Sequence, residues 1–108
     1  MDITVVIPCF NEERRLPKCL ESIRRQEHSN YTIKVIVVDD MSTDATLAVA
    51  QEFGATILTS GHRDIEVSKK IGLDGTTTPF VFFLDADNWL PSDDWLSVAR
   101  QALLDHPG

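Results

Sequence analysis

The apolar positions of this chain fall into two alternating rhythms. Ile3-Thr4-Val5-Val6-Ile7 is a β-branched run halted at Pro8, which predicts a buried strand. From Leu16 the spacing changes: Leu16, Cys19, Leu20 and Ile23 recur every three or four residues, with Lys18, Glu21, Arg24 and Arg25 opposite. That pattern predicts a helix entered through Pro17. The polar turn His28-Ser29-Asn30 leads into a second strand over residues 31–38, which ends in Asp39-Asp40. A second helix is expected next, capped by Ser42 or Thr43 with Asp44 in its first turn. Its apolar set is Ala45, Leu47, Ala48, Val49 and Phe53, and Gly54 closes it. Residues 55–59 read as a short third strand, and Ser60-Gly61-His62-Arg63 as a loop. Residues 65–73 carry a weaker helical pattern, ended by Gly72, Gly75 and Thr76-Thr77-Thr78-Pro79. Residues 80–84, Phe-Val-Phe-Phe-Leu, read as a fourth strand apolar on both faces. Pro91-Ser92-Asp93-Asp94 then opens a last helix, with Trp95, Leu96, Val98, Ala99, Ala102 and Leu103 as its core side.

Strands alternating with helices predict parallel strands joined by right-handed crossovers. Near-continuous apolar strands agree, because a parallel sheet is covered on both faces. The expected fold class is α/β: a Rossmann-like, doubly wound, mainly parallel sheet with strand order 3-2-1-4, forming a single domain over residues 1–108. Ligands in such sheets bind beyond the carboxyl ends of the strands, where the order reverses. Here the reversal falls between strands one and four.

Composition narrows the function classes. The 108 residues are 43% hydrophobic and 25% charged, an ordinary globular balance. Seventeen acidic residues against ten basic ones give a net charge of -7. With no Lys/Arg run to offset that, a nucleic-acid partner is excluded from the reading. An acidic protein that binds an acidic ligand needs a cation between them. Cys9 and Cys19 form no C-x-x-C pair and fit buried thiols of a reducing compartment. Met1-Asp2 leads straight into a strand pattern without a basic and apolar leader, and the apolar runs fall short of the ~20 residues of a membrane span. The expected location is cytoplasmic, compatible with peripheral attachment at the inner face of a membrane.

The candidate chemistry lies at strand ends. Pro8-Cys9-Phe10-Asn11-Glu12 follows strand one, Asp39-Asp40-Met41-Ser42 strand two, and Asp85-Ala86-Asp87 strand four. Five acidic residues are thereby expected at one edge, where they repel each other unless neutralised. Asp85 and Asp87 offer hard oxygen ligands suited to Mg²⁺ or Mn²⁺ shared with phosphate oxygens. A lone Asp after a strand more often caps a turn; three such clusters favour a ligand site.

These segments resemble the family 2 glycosyltransferases of GT-A type. Residues 3–13 resemble their opening strand and loop, and Val37-Val38-Asp39-Asp40-Met41-Ser42-Thr43-Asp44 their V-V-D-D-x-S-x-D segment. Phe83-Leu84-Asp85-Ala86-Asp87 resembles their D-x-D motif. The resemblance runs over essentially all 108 residues and implies the nucleotide-sugar-binding half of such an enzyme. It implies a nucleotide-diphosphate sugar as partner, UDP-sugars favoured, with a saccharide, lipid or other acceptor. Phe10 would lie against the base, and Pro8, Asn11, Glu12 and Ala86 would line the nucleotide-sugar pocket. Asp40 would accept from uracil N3–H or an equivalent edge. Asp85 would bind ribose or help the metal, and Asp87 would be the main metal ligand. The metal would stabilise the departing nucleoside diphosphate.

The chain departs from the family pattern at several places. Met41 stands where Gly is common. Val67-Ser68-Lys69-Lys70-Ile71-Gly72-Leu73 aligns with an A-R-N-x-G-L stretch, so that Lys69 keeps the charge of an Arg on the diphosphate without its bidentate fork. The acceptor half and its catalytic base are expected beyond residue 108. A binding module that holds nucleotide and metal without turnover is therefore the alternative reading. A signalling receiver fits less well, because its acidic pair follows the first strand, and a nucleotidyltransferase lacks its Gly-rich basic loop here. Trp89 admits either a sugar platform or rim packing. Trp95 reads as core, His62 and Arg63 as a solvated loop, and His28 and His106 as surface. An exposed fourth strand is expected to pair two copies of the chain.

Overall fold

The computed structural model describes residues 3–28 and 31–106. Ser29 and Asn30 of the expected turn, and Met1-Asp2 ahead of the first strand, lie outside the described residues. Eight elements alternate: β1 (Ile3–Cys9), α1 (Leu16–Arg24), β2 (Ile33–Asp39), α2 (Thr46–Glu52), β3 (Thr56–Thr59), α3 (Ile65–Asp74), β4 (Phe80–Phe83) and α4 (Trp95–Asp105). The four strands form one parallel sheet in the order β3-β2-β1-β4. This is the Rossmann-like order read from the sequence.

Alternation along β1 assigns its side chains to two layers. Ile3, Val5, Ile7 and Cys9 join a core with Leu16, Cys19, Leu20 and Ile23 of α1, Ala50 of α2 and Leu96 of α4. Val6 faces the other way, packing with Ile36, Val38, Leu58, Val81 and Ile71 of α3. Helices α1, α2 and α4 therefore cover one face and α3 the other. Each fully buried Val or Ile contributes about 1.5–3 kcal/mol. Among the described residues no helix is long and apolar enough to cross a membrane.

Several expectations needed correction. Tyr31 precedes β2 instead of beginning it, because its buried hydroxyl donates to the Glu27 carbonyl at 2.7 Å and ties it to the end of α1. Neither Ser42 nor Thr43 caps α2: the N-cap is Ala45, and Asp44 just ahead of it accepts from Thr46 N through Oδ1 at 2.9 Å. The inward stripe of α2 is Thr46, Val49, Ala50 and Phe53, while Leu47 and Ala48 face solvent. Thr46 can be buried because its hydroxyl accepts from Glu12 N and donates to Asp44. Gly54 does close α2, at φ 75°. Asp64, unremarked in the sequence, caps α3 by accepting from Glu66 N and Val67 N. Gly72 does not end α3; it lies inside the helix against β1, where a Cβ would come within 2.3 Å of Val6 Cγ1. Trp95 is 38% exposed, and Leu96 is the buried residue of α4. Phe83 is 44% exposed, in keeping with a fourth strand expected to be partly uncovered.

Candidate functional site

A cleft of about 590 Å³ opens beyond the carboxyl ends of the strands. Its position follows from strand length. The pairing of β1 with β4 stops at Val6↔Phe83, while β1 continues beside β2 to Cys9↔Asp39. Pro8 lies in that extension, past the β4 ladder, so its missing N–H costs no bond on that side. Pro8, Cys9, Phe10 and Glu12 enter the cleft from β1, Asp40 from β2 and Asp85-Ala86-Asp87 from β4. Arg15, Arg63, Asp64, Ile65 and Ser68 complete it.

The loops after β1 and β2 are stitched together. Asn11 N donates to Ser42 Oγ at 2.9 Å, and Asn11 Oδ1 accepts from Thr43 N at 2.8 Å. Glu12 N donates to Thr46 Oγ1 at 2.8 Å and Glu13 N to Asp44 Oδ2 at 3.3 Å. Asn11 thus faces the neighbouring loop and is not among the cleft-lining residues. Desolvation pushes the Asp44 carboxyl up slightly, but hydrogen bonds from the Thr46 hydroxyl, Thr46 N and Glu13 N outweigh it and hold its pKa below the usual aspartate value. Asn11, Met41 and Arg63, one in each loop after β1, β2 and β3, adopt left-handed backbone at φ 51°, 60° and 51°. Such conformations cost a side-chain-bearing residue about 1–2 kcal/mol. They recur where a loop must aim a group. At position 41 a Gly would take that backbone freely, whereas Met41 bears the cost.

The acidic crowd expected at this edge divides into different states. Asp39 is 2% exposed and turns beneath its loop, with Oδ2 accepting from Ser42 N at 3.1 Å. Asp40, 7% exposed, points to the cleft; its Oδ1 accepts from Arg63 N at 3.1 Å, and Arg63 Nε stands 4.0 Å from Oδ2. Glu12 is paired with Arg15, whose Nε lies 2.8 Å from Oε2 and whose Nη2 donates to Oε1 at 3.0 Å. Among the described residues, Asp85 and Asp87 alone of the five have carboxylates with neither a hydrogen bond nor an ion pair. Of the five, Glu12 and Asp40 have cationic partners, Asp39 keeps a buried Oδ1 without a hydrogen bond, and Asp85 and Asp87 are the two left open to the cleft.

The Asp85-Ala86-Asp87 loop is aimed by its middle residue and by α1. Ala86 is buried in the core, which turns its two neighbours outward. Leu84 N donates to Val6 O, and Asn88 N closes a turn on Asp85 O at 3.0 Å. Ser22 of α1 and Gln26 just beyond it hold the segment that follows the loop. Ser22 Oγ accepts from Leu90 N at 3.0 Å, and Gln26 donates to the Ser92 carbonyl at 2.6 Å and accepts from Leu96 N at 2.9 Å. Cys19 Sγ points at the Asp85 carbonyl, 3.9 Å away. Burial first, then Asp87 and Asp85, pushes the Cys19 thiol up to about 12. Burial, with Cys19 next and Glu12, Asp39 and Asp44 after it, pushes the Cys9 thiol far above the usual thiol range.

Among the described residues no three His, Cys, Asp or Glu side chains converge as a ready-made metal cage. Two outward carboxylates fit a hard cation that keeps waters and takes its other ligands from phosphate. Lys69 lies outside the cleft lining and pairs with Glu66 at 3.5 Å. Trp89 is 49% exposed with Lys18 Nζ 3.5 Å above its ring. Arg63 is not the solvated bystander expected: its guanidinium lies 3.7 Å over the Phe10 ring. Its signal was available in the strand order, which sets the end of β3 beside Asp40. Arg15 was also overlooked, although it stands three residues after Glu12.

The family model described as "Glycosyl transferase family 2" matches residues 4–107. The chain is 33% identical over 96 residues to glycosyltransferase GlyA of Streptococcus pneumoniae, covering 84% of this chain and 14% of that protein. Among solved structures, the mannosyltransferase PcManGT of Pyrobaculum calidifontis, in complex with GDP-Man and Mn²⁺, superposes with a TM-score of 0.88 at 27% identity. That match covers 96% of this chain and 32% of that one. TarS of S. aureus in complex with UDP-GlcNAc superposes with a TM-score of 0.83 at 25% identity, covering 99% and 32%. The chain therefore spans about a third or less of the length of these proteins.

Proposed function

This chain belongs to glycosyl transferase family 2 and has the GT-A fold, and on that premise we propose that it is the donor-binding part of a glycosyltransferase. It takes a nucleoside-diphosphate sugar, UDP-sugars favoured, in the cleft beyond β1, β2 and β4, together with Mg²⁺ or Mn²⁺ at Asp87 and Asp85. The observation that carries this reading is the pair of outward carboxylates without protein partners, beside a pocket whose other acidic groups are already paired. Complexes of similar proteins with Mn²⁺, GDP-Man and UDP-GlcNAc support it.

Each residue's part follows from its placement. The Phe10 ring offers a π face to the base. Asp40 offers a carboxylate oxygen to a ring N–H such as uracil N3–H. Pro8 and Ala86 are small apolar walls that let the nucleotide approach the strand ends. Arg15 holds Glu12 in place at the pocket floor. Asp85 and Asp87 face the region where the diphosphate would lie. When bound there, the cation supplies Lewis-acid stabilisation of charge on the departing nucleoside diphosphate. Asn11 acts by fixing the loop that carries Phe10, and Lys69 reaches the diphosphate only if it leaves Glu66. Transfer also needs a base to take the proton of an acceptor hydroxyl. The cleft's remaining carboxylates, Glu12, Asp40 and Asp64, are engaged by Arg15, Arg63 and the backbone of Glu66 and Val67, so we assign donor binding, and not the whole reaction, to these residues.

The finer reading includes two copies pairing through β4. Among the described residues β4 pairs only with β1, leaving one edge open. Phe83 and Trp95 stand exposed beside it.

Competition among UDP, CDP and GDP tests the base pocket. A carboxylate left unpaired by a base without a ring N–H donor costs about 1–3 kcal/mol. CDP is therefore expected to bind at least about fivefold more weakly than UDP, and Asp40→Asn to abolish the difference. Equal competition by all three would mean that Asp40 does not read the base.

A further inference from the structure

Arg63 makes two contacts at once, and both are contacts the base would need. Its guanidinium Cζ stands 3.7 Å from the centroid of the Phe10 ring. Its backbone N–H donates to Asp40 Oδ1 at 3.1 Å, and its Nε stands 4.0 Å from Oδ2. A planar, delocalised N–H donor that lies against the aromatic ring while facing the carboxylate has the chemistry of a nucleobase edge. Carbon atoms in contact lie about 3.5–4.0 Å apart, so no flat ring fits between Arg63 and Phe10 as they stand.

We propose that Arg63 is an internal stand-in for the base, capping Phe10 and Asp40 in the nucleotide-free protein and leaving Phe10 when a nucleotide enters. This rests on the donor-site reading above and adds to it an intramolecular competitor. The loop is built for such a swing. Arg63 holds φ 51° and Gly61 φ 84°, and the backbone bond from Arg63 N to Asp40 anchors the loop whatever the side chain does. The Arg63 side chain is mostly solvent-exposed, so the cap is weak and displaceable. An exposed cation–π contact of this size corresponds to a two- to fivefold effect on affinity, about.

The test is calorimetric titration of UDP with Mn²⁺ into the wild-type chain, Arg63→Ala, Arg63→Lys and the remote control Glu21→Ala. Alanine keeps the backbone N–H to Asp40, so the loop anchor survives. Arg63→Ala is expected to lower the Kd about two- to fivefold. Arg63→Lys should move in the same direction, because an ammonium lacks the flat face, and Glu21→Ala should change nothing. Side-chain NMR of Arg63 with Mg²⁺ supplies a second readout: its Nε–H proton is expected upfield under the Phe10 ring current and to move downfield as UDP is added. Unchanged or weaker binding by Arg63→Ala, or an Arg63 signal that stays upfield in saturating UDP, would overturn the stand-in while leaving donor binding intact. Binding recovered only in Arg63→Ala would support it in its strongest form. Absence of UDP binding in every variant would overturn the donor-site reading and the stand-in with it.

Discussion

Replacing Gly72 with Ala tests how α3 is seated, and the local and tertiary terms have opposite signs. A glycine inside a helix is destabilising by about 0.5–1 kcal/mol relative to Ala. Helix propensity therefore predicts that Gly72→Ala stabilises. Packing predicts the reverse. The new Cβ would lie 2.3 Å from Val6 Cγ1, 3.3 Å from Val6 Cγ2 and 3.2 Å from Val38 Cγ2. Contact between carbons needs about 3.5 Å or more, so the closest overlap exceeds an ångström. Val6 cannot easily yield: it is fully buried in the central strand and, being β-branched, has few rotamers. Overpacking of this kind costs about 1–3 kcal/mol. The net expectation is a loss of about 1–2 kcal/mol, read as a lower urea midpoint at unchanged slope. In a Val6→Ala background the two Val6 methyls are gone, and the same substitution should become close to neutral. A coupling energy of about 1 kcal/mol or more between the two sites is the signature. A gain of stability by Gly72→Ala in the wild-type background would refute the reasoning and show that α3 is held less closely than the distances state.

Three further outcomes are expected. Folding raises the pKa of both thiols, so their contribution to stability is complete below the unfolded thiol pKa of about 8.5 and is lost as pH rises above it. Urea midpoints should fall from pH 8.5 upward and less so in Cys9→Ala, and a flat profile would contradict the burial that raises both groups. Light scattering across a dilution series should show a dimer that dissociates at low concentration, weakened by a charge placed at Phe83; a monomer at every concentration would dismiss pairing through β4. Asp44→Ala should destabilise the start of α2 and loosen the Asn11-to-Glu13 loop, measured as faster amide exchange at Glu13 and Thr46; unchanged exchange would mean that the Asp44 bonds are dispensable.

The fold was legible because β1 and β2 are continuous β-branched runs between helices of matching period, and that pattern has one economical parallel solution. The strand order followed, and with it the edge where the polar clusters meet. What local pattern could not resolve was which member of each cluster faces the cleft. Asp39 and Asp40 are adjacent and alike, yet the strand's alternation turns one beneath the loop and the other outward. Thr46 falls outside the apolar set read for its helix and yet is buried, because Asp44 and Glu12 supply its partners across a turn and across the sheet edge. Gly72 looked like a helix stop, but what decides its role is Val6, 66 positions away in sequence. Arg63 was hidden for a similar reason: its partners, Phe10 and Asp40, come from two other loops. Trp95 was read inward from apolarity alone, and it stays 38% exposed because Leu96 takes the buried position of α4.

The central claim is that Asp85 and Asp87 present a cation to the diphosphate of a bound nucleotide, and its most direct test is UDP affinity with and without metal. Titration of the chain with UDP in Mn²⁺ and in chelator is expected to differ by about tenfold or more, since phosphate shared with a divalent ion contributes on the order of a kcal/mol or several. Asp87→Ala should remove most of that difference, Asp85→Ala part of it, and Glu21→Ala none. Equal UDP affinity in Mn²⁺ and in chelator, or a metal effect undiminished in Asp87→Ala, would contradict the account.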